Sequence, residues 1–265
     1  MAAVSQLADF ARSVRPKTEP GVVVFDTDRY VIRLIPTFPI PGPNSVSYVR
    51  CETDDVDGVV REVEATFAPH HVPYNWVLDP EVQPPDLAER LSRHGFVADP
   101  NDSEAAVMIL PEDAPLAMPD VNGMVIHDSL RDLETFRDAE RVAAEAFAGL
   151  PFGEPMPMDA SREQRWRDAT MAPSRRGILA TIDGEPAGSC SLTLMPPHGA
   201  IINSGAVRPI FRGRGVYRAM VARRLEMARE AGCGGLVVWG GRMSAPILEK
   251  LGFEKVSWRR FYVRA

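Results

Sequence analysis

The chain has 265 residues, of which 45% are hydrophobic and 25% are charged, proportions that suit a globular protein and exclude a disordered or fibrous one. Its formal net charge of -6 hides an asymmetry: residues 1–199 hold 17 Lys and Arg against 32 Asp and Glu, whereas residues 200–265 hold 13 against 4. With this charge and only 8% aromatic residues, the chain is not a typical nucleic-acid binder. A small polyanionic ligand suits the basic C-terminal quarter better.

Cysteine usage and hydropathy indicate the compartment. Cys51, Cys190 and Cys233 are odd in number, widely spaced and form no C-x-x-C pair, which indicates free thiols in a reducing environment. Residues 1–10 lack a basic segment and carry Asp9 in a short apolar stretch, unlike a secretory signal. No run approaches the roughly 18 apolar residues of a membrane span. We therefore expect a cytoplasmic protein with no membrane partner.

The first part of the chain alternates predicted strands and helices up to a proline-punctuated boundary at 110–123. In chain order these are a hairpin (22–25 and 30–34), a strand (46–51), a helix (56–67), a strand (72–78), a short helix (87–94) and a strand (105–110). Asp54 and Asp55 are candidate caps of the first helix, and Gly95 closes the second.

The second part continues the alternation, which predicts two domains, residues 1–115 and 120–265. Its elements are a strand (125–126), a helix (132–147), a helix begun by a Ser161–Gln164 capping box, a hairpin (178–182 and 187–194), a strand (200–207), a helix (215–231), a strand (236–239), a helix (245–251) and a strand (253–263).

The two parts share this order of elements. Residues 91–96 align with residues 248–253, each ending in Gly-Phe, and Trp76 falls late in a strand as Trp239 does. We interpret this as a degenerate internal duplication. The alternative is that a glycine that ends a helix, followed by a buried phenylalanine, is common in α/β proteins.

The segment 206–220 predicts an anion site. A predicted strand ends at Val207, a loop with two glycines follows, and a helix begins near Gly215, so several backbone N–H groups converge. Arg212 and Arg214 add positive charge. A P-loop would require Gly-Lys-Ser/Thr, and a dinucleotide fingerprint would need glycine where Arg218 stands. A surface loop rich in glycine and arginine is the simpler alternative.

The sequence Arg212-Gly213-Arg214-Gly215 resembles the pyrophosphate loop of the GNAT superfamily of acyl-CoA-dependent N-acyltransferases, Q/R-x-x-G-x-G/A, with Tyr217 at the last position. Residues 245–253 resemble the short helix and Gly-Phe that close the same fold. The resemblance implies an α/β (α+β) chain of two GNAT-like domains, each a mixed, mostly antiparallel twisted sheet flanked by helices. Residues 1–115 would form a degenerate domain and residues 120–265 the acetyl-CoA-binding one.

The resemblance also implies an activity and a binding site. The activity is transfer of an acetyl group from acetyl-CoA, without a metal, to the amine of a small molecule or peptide that attacks the thioester directly. A non-catalytic acyl-CoA-binding or regulatory protein is the alternative. Pantetheine would pair with backbone at the strand end and pyrophosphate would bind the loop, so the implied cofactor-binding residues are Ala206, Val207, Arg212, Gly213, Arg214, Gly215, Val216 and Tyr217.

The catalytic groups depart from the family pattern. The tyrosine that often protonates the leaving thiolate is replaced by Leu248, and residues 202–204 lack the usual glutamate base. Tyr217 and Ser244 are candidate substitutes for the acid, although cofactor packing and helix capping explain them more simply. Glu154 and Asp159 are the nearest acids by topology.

The corresponding segment of the first half, 50–58, has no Arg-x-x-Gly and carries four acids that would repel a pyrophosphate. We therefore expect that the first half has lost the cofactor. His70, His71 and His94 have no carboxylate or cysteine at ligand spacing, so we expect no metal site.

Overall fold

A computed structural model describes residues 2–40, 42–148 and 159–265, with the side chains of residues 2, 3, 159 and 160 left undescribed. It confirms the predicted fold class, α/β (α+β) with mostly antiparallel strand pairing and flanking helices. In chain order the elements are α1 (Ala2–Ser13), β1 (Val23–Asp26), β2 (Val31–Leu34), β3 (Ser45–Ser47), α2 (Val56–Phe67), β4 (Asn75–Leu78), α3 (Leu87–Arg93), β5 (Phe96–Ala98), β6 (Glu104–Pro111), β7 (Met124–Asp128), α4 (Leu133–Phe147), α5 (Asp159–Met171), β8 (Arg175–Ile182), β9 (Glu185–Met195), β10 (Gly199–Val207), α6 (Val216–Glu230), β11 (Gly235–Gly240), α7 (Ala245–Lys250) and β12 (Glu254–Arg264).

The described chain forms two compact units. The first comprises α1, the described residues of 107–238, and residues 246–256; the second comprises the described residues of 14–106 together with residues 239–245 and 257–265. Each unit therefore includes short segments that are distant in sequence from its main body. The division into domains 1–115 and 120–265 stays a prediction.

The first unit is built on the strand order β6-β11-β10-β9-β8-β7. Strands β7 to β10 form an antiparallel meander, and α6 then crosses to β11, which pairs parallel with β10. Strand β8 reads as an apolar run, and its buried residues pack under α6 as predicted for the inner face of a sheet. The core residues shared by these elements are Ile178, Ala180, Ile182, Ala187, Cys190, Phe211, Val216 and Met220.

Helix α1 packs in the first unit and has no counterpart among the predicted elements. Leu7 and Ala11 are buried against Val107, Ile109 and Val237. A Cβ at Gly199 or Gly235 would lie 2.9 or 2.8 Å from a methyl carbon of Leu7, so these glycines permit the close approach of α1. The spacing of Leu7, Ala8 and Ala11 is typical of an amphipathic helix and is the signal that could have predicted it.

The second unit is built on the order β1-β2-β3-β4-β12, with β5 also paired to β12. Strands β3 and β4 are parallel and connected through α2. Helix α2 follows the predicted span, and its apolar stripe packs in a core that includes Trp76 and Phe96. The buried residues of the stripe are Val56, Val59, Val60, Val63 and Phe67.

A buried ionic cluster joins β4 and β12 within the second unit. Arg259 is 1% exposed and Asp79 is 5% exposed, and Arg259 Nη1 lies 3.4 Å from Asp79 Oδ2. Arg50 Nη2 binds the other oxygen of Asp79 at 2.8 Å, and Arg259 Nη2 donates to the hydroxyl of Tyr48 at 3.0 Å. Burial of this hydroxyl raises the pKa of Tyr48. The cluster satisfies a fully buried arginine with a carboxylate and a phenol.

The predicted capping box at Ser161 is wrong. Helix α5 begins at Asp159, so Ser161 lies inside it and its hydroxyl accepts a hydrogen bond from Arg165. The amide of Gln164 donates to Asp168 at 2.8 Å on the exposed side instead of reaching back to the helix start. Arg165 also pairs with Glu140, which connects α5 to α4.

No helix within the described ranges is long and apolar enough to cross a membrane.

Candidate functional site

The edge of β10 is interrupted before the strand ends. Its pairing with β9 runs to Asn203 opposite Ser191, skips two residues and resumes at Ala206 opposite Ser189. One of the skipped residues, Ser204, has φ of 51°, a left-handed conformation that a non-glycine residue rarely adopts. This bulge leaves the backbone around Ser204 and Gly205 outside the ladder with β9.

Strands β10 and β11 pair over only a short stretch. Among the described residues their register covers Ala200 with Leu236 and Ile201 with Val237. The remainder of β10, residues 202–207, extends beyond that parallel ladder. The bulge and the predicted pantetheine residues Ala206 and Val207 both lie in this part of the strand.

The loop after β10 delivers the chain to an uncapped helix. A turn of 3-10 helix, Pro209–Phe211, follows the strand, and α6 begins after Gly215. Gly213 and Gly215 have φ of 77° and 86°, which glycine adopts without the strain that a side chain would bring. No described side chain caps α6, so its first N–H groups and the positive end of its dipole are available to an anion.

The arginines of this segment, which the sequence groups together, have different surroundings. Arg208 pairs with Glu145 at 2.5 Å and with Glu185 at 2.6 Å, and these hydrogen bonds raise the pKa of Arg208. Arg212 donates to the carbonyl oxygens of Val207 at 3.2 Å and Ala146 at 3.0 Å. Its fixed donors therefore brace the loop against β10 and the end of α4.

Two further arginines carry charge beside the loop. The Arg214 guanidinium lies 5.5 Å from the centre of the Phe211 ring, and Arg218 is exposed on the first turn of α6. Neither forms an ion pair with the described residues. Their positive charge is thus available to a ligand near the start of α6.

Tyr217 lies beneath the bulge. A Cβ at Gly205 would stand 2.8 Å from Tyr217 Cε2 and 3.6 Å from its hydroxyl oxygen, so the ring packs directly on the strand. Burial raises the pKa of Tyr217, and the nearby guanidinium of Arg224 opposes that rise. The phenol is therefore protonated at neutral pH and can donate a hydrogen bond.

The other candidate acid has a local structural role. Ser244 belongs to the second unit, where its hydroxyl donates to the carbonyl oxygen of Gly241 at 3.4 Å just before α7. Leu248, at the position of the family's tyrosine, is fully buried in the first unit. Of the two candidate acids, only Tyr217 lies in the same unit as the loop. Glu154 lies outside the described residues, as does the side chain of Asp159.

The second unit repeats the strand-helix-strand arrangement with a closed edge. Strands β3 and β4 pair at Ser45 with Asn75 and at Val46 with Trp76, and Tyr48 then adopts φ of 53°. Beyond that point Gln83 donates to Val49 at 3.0 Å and accepts from Cys51 at 3.2 Å.

The acids predicted to repel a phosphate precede α2 in this unit. Asp54 and Asp55 lie in a short 3-10 turn at that end of the helix. The backbone after β3 is therefore paired with the segment at Gln83, and acidic residues stand before α2. The segment that follows β10 differs in both respects.

One buried residue was not singled out from the sequence. Arg224 is 1% exposed on the inner face of α6, although its side chain is charged. The helical spacing of Val216, Met220 and position 224 was the available signal, because it places all three on one face. Among the described side chains, no group of three or more His, Cys, Asp or Glu is arranged to hold a metal ion.

The sequence and the fold were compared with known proteins. Residues 139–253 match the acetyltransferase (GNAT) family. No curated protein matches the sequence. Among solved structures, a GCN5-related N-acetyltransferase from Kribbella flavida has 17% identity and a TM-score of 0.61, covering 99% of this chain and 94% of that one.

Two more solved structures share the fold. A conserved protein of unknown function from Staphylococcus epidermidis has 14% identity and a TM-score of 0.67, covering 91% of this chain and 92% of that one. A tandem GNAT protein from the clavulanic acid biosynthesis pathway has 16% identity and a TM-score of 0.58, covering 99% of this chain and 94% of that one. At these identities the structures show the fold alone.

Proposed function

We propose that this chain, whose residues 139–253 match the acetyltransferase (GNAT) family, binds acetyl-CoA through the loop after β10 and transfers the acetyl group to an amine. The acceptor is the amine of a small molecule or a peptide. The cytoplasmic location stays a prediction.

The observation that supports the proposal most directly is the uncapped start of α6. Its free N–H groups follow a loop in which Gly213 and Gly215 both have positive φ. A Cβ at Gly213 would meet no atom within 4 Å, so the backbone there is open to a ligand. Backbone donors, a helix dipole and the charges of Arg214 and Arg218 suit the pyrophosphate of an acyl-CoA.

The bulge in β10 suits the reacting end of the same ligand. A neutral amine would attack the thioester carbonyl. The new N–C bond forms, the C–S bond breaks with its electron pair leaving on sulfur, and the nitrogen releases its extra proton to water. Backbone N–H groups around Ser204 and Gly205, which lie outside the ladder with β9, would stabilise the carbonyl oxygen as it becomes negative. The Tyr217 hydroxyl would donate a proton or a hydrogen bond to the departing sulfur.

The alternative is a protein that binds acyl-CoA without catalysing transfer. It is favoured by Leu248, because a fully buried leucine at the position of the usual acid cannot protonate a thiolate. General acid catalysis typically contributes about 10² to 10⁴-fold, so its absence would slow transfer greatly without preventing cofactor binding.

Calorimetry with acetyl-CoA and a thiol-release assay over a panel of amines separate the two functions. An acetyltransferase binds acetyl-CoA and releases CoA thiol with at least one amine. Binding without release on any amine would favour the alternative, and the absence of binding would contradict both.

A matched pair of glycine substitutions tests the loop itself. Gly213→Glu would bring a carboxylate to the start of α6, and we expect acetyl-CoA affinity to fall about tenfold or more by repulsion of the pyrophosphate. Gly184→Glu is the control, because Gly184 has φ of 82°, meets no atom within 4 Å of an added Cβ and lies in the β8–β9 turn.

Both variants carry the same strain and the same added charge, so both should lose similar thermal stability. Equal acetyl-CoA affinities of the two variants, measured by calorimetry, would show that the loop does not bind the pyrophosphate.

A further inference from the structure

Arg224 is a buried cation for which no described residue supplies a carboxylate partner. It is 1% exposed, and its Nε donates to the Met220 carbonyl of its own helix at 3.2 Å. Its Nη1 makes only a long contact, 3.5 Å, with the carbonyl oxygen of Asn203 at the start of the bulge. Its Nη2 has no hydrogen-bond partner among the described atoms.

Three other arginines of the basic C-terminal quarter have carboxylate partners. Arg223 contacts Glu226 and Glu230, Arg259 contacts Asp79, and Arg260 contacts Glu104. Burial of an unpaired guanidinium is costly, because the charge loses its hydration without gaining an opposite charge. A side chain with this cost, placed directly behind an irregular strand, indicates a function other than stability.

The groups that face Arg224 come from three elements. They are the Tyr217 hydroxyl on α6, the Cys190 thiol on β9 and the Asn203 carbonyl on β10. Burial raises the pKa of both Tyr217 and Cys190, and both groups are therefore neutral at physiological pH. No carboxylate among the described residues neutralises the guanidinium, so its field extends to the bulge at Ser204 and Gly205.

We propose that Arg224 is a positioning residue for acyl transfer: its uncompensated charge, held behind the β10 bulge, stabilises the negative charge that develops on the thioester oxygen and on the departing sulfur. This inference rests on the proposed function, since it requires the thioester to lie at the bulge. The electron pair of the breaking C–S bond moves onto sulfur, and a positive charge on the far side of the strand lowers the energy of that thiolate. Its contact with Asn203 also fixes the strand where the bulge begins.

The test uses bound CoA, whose free thiol reports the field directly without an acceptor amine. The pKa of the thiol is measured by titrating thiolate ultraviolet absorbance of the CoA complex, with desulfo-CoA as the blank. In the wild-type protein we expect a thiol pKa about one unit or more below that of free CoA. In Arg224→Met it should return to about the free value.

Two variants control for charge and for folding. Arg223→Met removes one positive charge from the adjacent, half-buried position and should leave the thiol pKa at the wild-type value. Arg224→Lys keeps the charge and should retain most of the lowering. Arg224→Met should unfold at the same temperature as the wild type or higher, because a buried unpaired charge is replaced by an apolar chain.

The outcomes are distinct. A bound thiol with the pKa of free CoA in the wild-type protein, which needs no variant to fold, would overturn the inference, and so would equal values in wild type and Arg224→Met. A loss of melting temperature in Arg224→Met with an unchanged thiol pKa would assign Arg224 a purely structural role. Failure of the wild-type protein to bind CoA would instead contradict the proposed function.

Discussion

Single side chains in this protein take their role from their surroundings more than from their type. Arg208 is neutralised by two glutamates, Arg212 is bound to carbonyl oxygens, and Arg214 lies over an aromatic ring. Arg224 is buried with no acid beside it among the described residues. The positive charge available to bind a ligand is therefore smaller, and confined to a smaller region, than the excess of Arg and Lys in residues 200–265 indicates.

Asp132 gives a residue-scale prediction for pH. Its carboxylate accepts from the Thr135 N–H at 2.7 Å as the N-cap of α4, and these bonds lower the pKa of Asp132 to about 2. Because the folded pKa lies below the ordinary aspartate value of 3.8, the carboxylate stabilises the protein above that value and loses this effect as the pH falls towards 2.

Asp132→Ala should therefore melt a few degrees lower than the wild type at pH 6, and the difference should shrink as the pH falls below 4. Thermal unfolding followed by circular dichroism at several pH values checks this. A difference that stays constant down to pH 3 would show that capping by the ionised group is not its origin.

The sequence predicted the roles of those residues whose roles depend on their immediate neighbours in the chain. The turn-forming glycines 213 and 215 and the missing acid at Leu248 follow from short motifs. The burial of Arg224 could not be predicted with the same ease, because a charged side chain is normally assigned to the surface. Ser161 misled because a capping box specifies a pattern that also occurs inside a helix.

At the scale of elements, the same strand-helix-strand unit occurs twice with different edges. In both copies a parallel pair is followed by a residue with positive φ, Ser204 in one and Tyr48 in the other. After Tyr48 the chain pairs with Gln83, and the Tyr48 hydroxyl is held by Arg259. The backbone groups after β10 would therefore bind a ligand, whereas the corresponding groups after β3 bind other residues of the protein.

The Asp79–Arg259 pair gives the element-scale prediction. Asp79→Ala would remove the carboxylate that binds the buried Arg259 between β4 and β12, and we expect a loss of about 3 to 5 kcal/mol in the free energy of unfolding. The double variant Asp79→Leu/Arg259→Met removes both charges and should recover most of that loss.

Arg260→Met serves as the control on the same strand, because Arg260 and Glu104 form an exposed pair and its loss should cost less than about 1 kcal/mol. Denaturant unfolding of the three variants measures these changes. If the double variant is as unstable as Asp79→Ala, the ion pair stabilises the fold by more than the cost of burying its two charges.

Elements with strong periodicity were predictable, and α1 shows what was overlooked. The spans of α2, α6 and the hairpin β8–β9 follow from apolar spacing and turn glycines. Helix α1 has the same kind of spacing, but its partners Val107, Ile109 and Val237 lie about one hundred residues or more along the chain. Short-range patterns do not identify such partners.

At the scale of the whole molecule, one loop among the described residues has the features of a phosphate site. We therefore expect calorimetry to give one acetyl-CoA per chain, and Gly213→Glu to remove most of that binding while Gly184→Glu retains it. A ratio of two would show that the second unit also binds, despite the acids before α2 and the pairing at Gln83. The fold class was predictable at this scale. The exchange of terminal segments, by which α1 belongs to the first unit and residues 257–265 belong to the second, was not. It depends on contacts between residues that are distant in the sequence.

That exchange has a consequence for the order in which the protein can be completed during synthesis. Helix α1 leaves the ribosome well before β11 and β12, yet its apolar face is covered by Val237 and its Arg12 binds the carbonyl of Val256 at 3.2 Å. At typical elongation rates roughly 225 residues of further synthesis take about 10 to 45 seconds, during which α1 exposes Leu7 and Ala11. Strand β12 supplies residues to both units, so neither is complete until it has emerged. The nascent chain must therefore keep two unfinished cores soluble at once.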